Sequence, residues 1–254
     1  MRRRLSVRGA ASVSIAPLHM ADWLAAGLIG FGPMLTRLGG AIRRTQAAAG
    51  GEPLLVVAHS GGGIATRLAM SEVSFRGHKS AVAGSIGALV TLGTPHGLAG
   101  SSVRSAHSGV VAARFLDRHS PATCFAPTTA YLTVGSDLVR PGRLVEGGGV
   151  RRRVSPLTWW DRLLRHGFEG IVGPLPSEGG DGIVSAAAAH LPGAEHLTFH
   201  DVRHGHIGGP WYGDEEIIER WWPRAVALWR GALAAREAAA QPRAGQISRW
   251  TDRS

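Results

Sequence analysis

The chain contains one cysteine, Cys124, and one lysine, Lys79, in 254 residues. A single thiol cannot form an intramolecular disulfide, which excludes a small disulfide-stapled scaffold and leaves an oxidising compartment unexploited. Cys124 lies in Pro-Ala-Thr-Cys-Phe-Ala-Pro, without the strand, turn and helix that would activate a thiol, so it is not a candidate nucleophile. No apolar run approaches the roughly 18 residues of a membrane span. Neither a spaced cluster of metal ligands nor a dinucleotide glycine fingerprint occurs, so chemistry without a metal or cofactor is expected.

Acidic residues are also scarce, 18 against 28 basic ones, which gives a net charge of +10 and a pI near 11.4. That balance raises nucleic acid or an anionic membrane as a partner. The arginines are scattered among alanine and glycine without interleaved aromatics, and only Arg2–Arg4 and Arg151–Arg153 form local clusters. The bias is therefore compositional; no nucleic-acid partner is expected, and any membrane contact is peripheral.

Apolar residues make up 44% of the chain and charged ones 18%, with 36 glycines, so the protein is globular and turn-rich. A chain this long supports one substantial core. Residues 1–240 are expected to form a single α/β domain, 97–130 an irregular cap-like segment over a pocket, and 241–254 a disordered tail.

Helical spacing of apolar residues runs from Trp23 to Ala49 and closes at Gly50-Gly51. Leu54 to Ala58 is then a short unbroken apolar run, as in a strand buried on both faces of a parallel sheet. A helical stretch from Gly62 to Met70 follows. Further buried strands are expected at Ile86–Leu92, Tyr131–Val134 and Leu197–Val202, giving a mostly parallel central sheet with helices on both faces. A short helix is expected around Trp159 to Arg165. Asp214 is placed to N-cap a long helix that begins with Glu215-Glu216.

Ala58-His59-Ser60-Gly61-Gly62 falls between a buried strand and a helix, the setting of a nucleophile elbow. On so sharp a turn a serine holds strained backbone angles, and side chains two residues to either side are expected to crowd the neighbouring strand and helix; Ala58 relaxes the usual glycine there by one methyl. A serine hydroxyl becomes nucleophilic when a histidine takes its proton, and that histidine needs a carboxylate to hold its tautomer. Two acids follow in chain order: Asp181, in a glycine-flanked loop, is preferred to Asp137, which follows the Tyr131 strand. Of the later histidines, His204, directly after the last strand, is preferred to His206. His59 and His96 are expected to shape the pocket rather than act as bases.

These motifs together resemble the lipase-like α/β-hydrolases of plants, algae and cyanobacteria and, more distantly, small bacterial lipases with an Ala-His-Ser-x-Gly elbow. The resemblance runs through Ala21-Asp22-Trp23-Leu24, Val57 to Gly63, Leu92-Gly93-Thr94-Pro95-His96-Gly97 and Gly180 to Val184. It continues through Leu191-Pro192-Gly193-Ala194 and Val202-Arg203-His204 to Trp211-Tyr212-Gly213. It implies the α/β-hydrolase fold and hydrolysis of an acyl or lipid ester without cofactor, with Ser60, Asp181 and His204 at the family's triad positions. The Gly61 N–H would then supply one oxyanion donor. Family members begin with a further strand and a loop that gives the second donor, and this chain starts after that place. The rival reading is a non-catalytic α/β-hydrolase-fold protein that binds a hydrophobic ligand or a protein partner.

The first twenty residues admit two readings. Their Arg, Ser and Ala content and lack of any acid match an organelle transit peptide, directing the protein to a chloroplast. Ala11 to Leu18 also alternates as a strand leading into a helix near Asp22-Trp23. The strand is preferred, which makes this chain an N-terminally incomplete version of a longer, soluble intracellular hydrolase.

Overall fold

A computed structural model of the chain describes residues 1–19, 22, 31–97, 108–139, 145–147, 150–152 and 179–240. In chain order the helices are α1 (Arg2–Ser6), α2 (Gly32–Ala48), α3 (Gly61–Met70), α4 (Ser108–His119), α5 (Ala186–Ala189) and α6 (Glu215–Ala240). The strands are β1 (Leu54–His59), β2 (Ile86–Leu92), β3 (Ala130–Ser136), β4 (Val145–Gly147), β5 (Val150–Arg152) and β6 (Glu195–Phe199).

The central sheet has the order β1-β2-β3-β6, and its neighbours pair in parallel. β4 and β5 form a separate antiparallel pair. All of β2 is buried, as its apolar composition, broken only by Thr91, requires of a strand covered on both faces. Side chains alternate between two cores. Leu54 and Val56 of β1, Leu89 of β2 and Tyr131 of β3 face a cluster with Met34, Leu35 and Leu38 of α2, Ile64 and Leu68 of α3, and Leu116 of α4. Leu55, Val57, Val90, Leu92, Leu132 and Val134 face Ile217, Ile218 and Trp221 of α6, together with Leu5 of α1. Complete burial of Trp221 and Ile218 contributes about 2–3 kcal/mol for each side chain. The architecture is the expected α/β one, a parallel sheet with helices on both faces.

Several expectations change. Ala11 to Leu18 is not a strand: its backbone joins no ladder, and β1 has no second neighbour among the described residues. The segment instead packs Ala10 and Val13 against one core and Ala16 and Leu18 against the other, leaving Ile15 exposed. Arg4 donates to the Gly213 carbonyl and pairs with Asp214, while Arg8 pairs with Glu215 and Glu219. These N-terminal arginines are thus occupied by acids at the start of α6.

Where 97–130 is expected to be irregular, residues 108–119 form α4, and its Val110, Ala112, Ala113 and Leu116 are buried. That part of the segment is a wall of the core. The last sheet strand begins at Glu195, two residues before the expected Leu197, and ends at Phe199; Val202 lies beyond it although fully buried. Asp214 does precede α6, but its carboxylate receives Trp211 N–H (3.1 Å) and Arg4 (3.1 Å). Of the helix expected from Trp23 to Ala49, α2 accounts for Gly32–Ala48; the part from 23 to 30, the expected helix at Trp159–Arg165 and the expected tail 241–254 lie outside the described residues.

Candidate active site

β1 ends at His59, and the chain turns into α3 through Ser60, whose φ of 53° and ψ of −133° are unfavourable for a residue with a side chain. Angles of this kind cost about 1–3 kcal/mol and persist only when the surroundings impose them. Three hydrogen bonds do so here. Ser60 N–H donates to the Leu92 carbonyl (2.9 Å), while the Ser60 carbonyl accepts from Gly63 N–H (3.1 Å) and Thr94 Oγ1 (2.8 Å). The glycine with a steric reason is Gly63, where a Cβ would stand 2.3 Å from Thr94 Oγ1. At Gly62 an added Cβ would meet only Ala58 Cβ at 3.9 Å, so the expected crowding two residues after Ser60 falls three residues after it.

His204 follows β6 on a loop and is buried, with its ring between Ser60 and Asp181. Its Nε2 is 2.9 Å from Ser60 Oγ and its Nδ1 is 2.8 Å from Asp181 Oδ2. If Nδ1 donates to the carboxylate, Nε2 is free to accept the serine proton. The backbones are linked as well, by His204 N–H to the Asp181 carbonyl (2.9 Å). Asp181 is 1% exposed and its other oxygen accepts Ile183 N–H (3.0 Å) and Val184 N–H (2.8 Å). Burial pushes this carboxyl upward. The adjoining His204 ring and the hydrogen bonds from His204, Val184 and Ile183 outweigh it, and the group sits below the usual aspartate value.

The two rivals have other places. Asp137, at the end of β3, is buried and pairs with His200 Nδ1 (2.7 Å), away from Ser60's partner. His206 is exposed beside Trp211, with ring centroids 6.1 Å apart. Both acids follow β3, because Val139 and Gly180 exchange backbone hydrogen bonds of 2.8 and 3.1 Å. The excursion between them is closed at its neck, and Asp181 re-enters immediately after it.

His59 and His96 occupy different surroundings. His59 Nε2–H donates to the His204 carbonyl (2.8 Å), and its ring touches those of His204, Trp211 and Tyr212. Burial and the nearby His204 lower its pKa to about 4, against smaller upward effects of Asp181 and of the hydrogen bond. It is neutral near pH 7 and braces the loop that carries His204. The His96 ring is buried elsewhere, 2.9 Å from Thr91 Oγ1 and 3.4 Å from an Arg67 nitrogen. Burial, then Arg67, holds it well below the ordinary histidine value. Its backbone N–H donates to the Ala188 carbonyl (2.7 Å) and so ties the loop after β2 to α5. Gly61, at the first turn of α3, directly follows Ser60. Among the described residues no group of three or more His, Cys, Asp or Glu could hold a metal ion. None of the described helices is long and apolar enough to cross a membrane.

No family model matches the sequence, and no curated protein matches it. Among solved structures, a lipase of Bacillus licheniformis in mature form is similar, with 20% identity and a TM-score of 0.44 over 77% of this chain and 72% of that one.

Two residues at the site were not singled out by sequence reasoning. Tyr212 Oη donates to Asp181 Oδ2 (3.0 Å), and Gly93, with φ of +54°, passes directly beneath the Asp181–His204 pair. A signal existed for the first: Tyr212 is one of only two tyrosines and follows Pro210-Trp211, and a phenol that becomes buried requires a partner. For Gly93 the only signal was its place at the end of a buried strand.

Proposed function

We propose that this chain is a serine hydrolase of carboxylic esters, with Ser60 as nucleophile, His204 as general base and then acid, and Asp181 as the group that orients His204. The reading rests on one observation above all: Ser60 Oγ, on a strained strand-to-helix turn, lies 2.9 Å from His204 Nε2, whose Nδ1 lies 2.8 Å from a buried carboxylate. Ser60 Oγ attacks the ester carbonyl carbon while its proton passes to His204 Nε2. The tetrahedral oxyanion is met by Gly61 N–H at the start of α3. The intermediate collapses, the alkoxide leaves with the proton from His204, and water repeats the sequence on the acyl-enzyme. Acyl or lipid esters are the substrate class, and residues 1–240 act as one domain. The kinship with plant, algal and cyanobacterial lipase-like hydrolases is part of the same proposal and rests on motif order.

The test is labelling by a fluorophosphonate probe together with turnover of nitrophenyl esters of increasing chain length. Labelling at Ser60, turnover, and loss of both in Ser60→Ala are expected. A purified, folded chain that neither labels nor hydrolyses any member of the series supports the ligand-binding alternative.

A further inference from the structure

The Asp181 carboxylate receives four donors, and only His204 among them belongs to the proposed relay. Ile183 and Val184 N–H groups occupy Oδ1, while His204 Nδ1 and Tyr212 Oη share Oδ2. Four donors fill the hydrogen-bonding capacity of a carboxylate. Tyr212 is fully buried, and its own carbonyl accepts Trp221 Nε1 of α6 (3.1 Å). Its ring is anchored on the core at one end and delivers its hydroxyl to the reactive pair at the other. Burial and the neighbouring carboxylate push the phenol well above its usual value, so it remains a donor throughout the working pH range.

Resting on the serine-hydrolase reading, we propose that Tyr212 is a positioning residue that acts through Asp181: its hydroxyl fixes the oxygen facing His204 and limits how strongly that oxygen holds the protonated ring. Sharing Oδ2 is the basis. A hydroxyl donating to that oxygen withdraws part of the charge that the imidazolium would otherwise attract. The titratable groups around the Asp181–His204 pair are His59 at the end of β1 and Tyr212 itself, with Gly93 and two backbone N–H groups completing the surroundings. Without the hydroxyl, the carboxylate holds the protonated ring more tightly and the base is occupied to higher pH.

Tyr212→Phe retains the ring and removes only the hydroxyl. The experiment measures kcat/KM for p-nitrophenyl butyrate against pH in wild type and Tyr212→Phe, with fluorophosphonate titration of Ser60 giving the concentration of competent sites. The acid limb of kcat/KM is expected to move up by roughly half to one pH unit, with kcat per titrated site about three- to tenfold lower and KM unchanged. An unmoved acid limb overturns the proposal, as does a loss accounted for entirely by fewer titrated sites, which is what packing alone produces. If wild type itself neither labels nor turns over, the hydrolase reading fails and takes this proposal with it; that result is told apart because it appears in the unmutated chain.

Discussion

Gly93→Ala tests whether the loop after β2 is shaped by the Asp181–His204 pair lying against it. A Cβ at this position would stand 2.7 Å from Asp181 Oδ2, 2.9 Å from Tyr212 Cε2 and 3.2 Å from His204 Nδ1. None of these is the free end of a flexible chain: Asp181 is held by four hydrogen bonds and Tyr212 is fully buried. The φ of +54° adds a backbone cost of about 1–2 kcal/mol for a residue with a Cβ, and overpacking adds about 1–3 kcal/mol. Together the loss is roughly 2–5 kcal/mol, which lowers the melting temperature by roughly 5–15 °C in a chain of this size. The contact is relieved by displacing the carboxylate by several tenths of an ångström, so kcat for ester hydrolysis is expected to fall about 10- to 100-fold. Gly231→Ala is the control, because Gly231 lies within α6 with nothing near its missing Cβ. Alanine there stabilises by about 0.5–1 kcal/mol and leaves kcat alone. Calorimetry and nitrophenyl ester kinetics on both variants decide it. A Gly93→Ala protein with wild-type kcat and melting temperature would refute the argument that this glycine exists to make room for the acid and the base.

His204→Ala is expected to remove hydrolysis as fully as Ser60→Ala, whereas His206→Ala keeps most of it; the reverse order in steady-state rates would transfer the base to His206. Ser60→Gly removes the nucleophile and also the strain at φ 53°, so it should melt above Ser60→Ala by a margin set by about 1–3 kcal/mol; equal melting temperatures would mean that the turn is unstrained. His59, with a folded pKa of about 4, and His96, held well below its ordinary value, both bind fewer protons when folded than when unfolded. Their contribution is present above about pH 6.5 and is lost as pH falls towards 4. The melting temperature should drop across that window and the slope should be shallower in His59→Gln, which a pH series of thermal melts checks.

The parts of the molecule legible in its sequence are those whose signal is local. β1 and β2 are predominantly apolar because both of their faces pack on a core, and the elbow is readable because a strand ends and a helix begins on either side of Ser60. Asp181 and His204 were preferred for their settings, a glycine-flanked loop and the end of the last expected strand, and the structure brings both together with Ser60. What escaped depends on contacts between distant segments. α4 was hidden because alanines at 112 and 113 and small neighbours do not announce a buried helix until another helix lies against them. β6 was displaced because Val202 is buried by α6 rather than by a ladder and imitates a strand residue. Ala11–Leu18 alternates like a strand, yet a strand requires a partner to receive its hydrogen bonds, and alternation in one segment carries no information about the other. Tyr212 is 31 residues from the carboxylate it donates to.

The backbone pair between Val139 and Gly180 has a consequence for how such a protein can change. Since these two residues already hold each other, the chain between them can lengthen or shorten without altering where Asp181 re-enters beside β3. Doubling a closed loop costs only about 0.6 kcal/mol in chain entropy. The acid is thereby insulated from insertions and deletions upstream of it, and the segment from 140 to 179 can drift or be exchanged while the reacting groups keep their distances. A clasp of two hydrogen bonds separates what must stay fixed from what is free to vary.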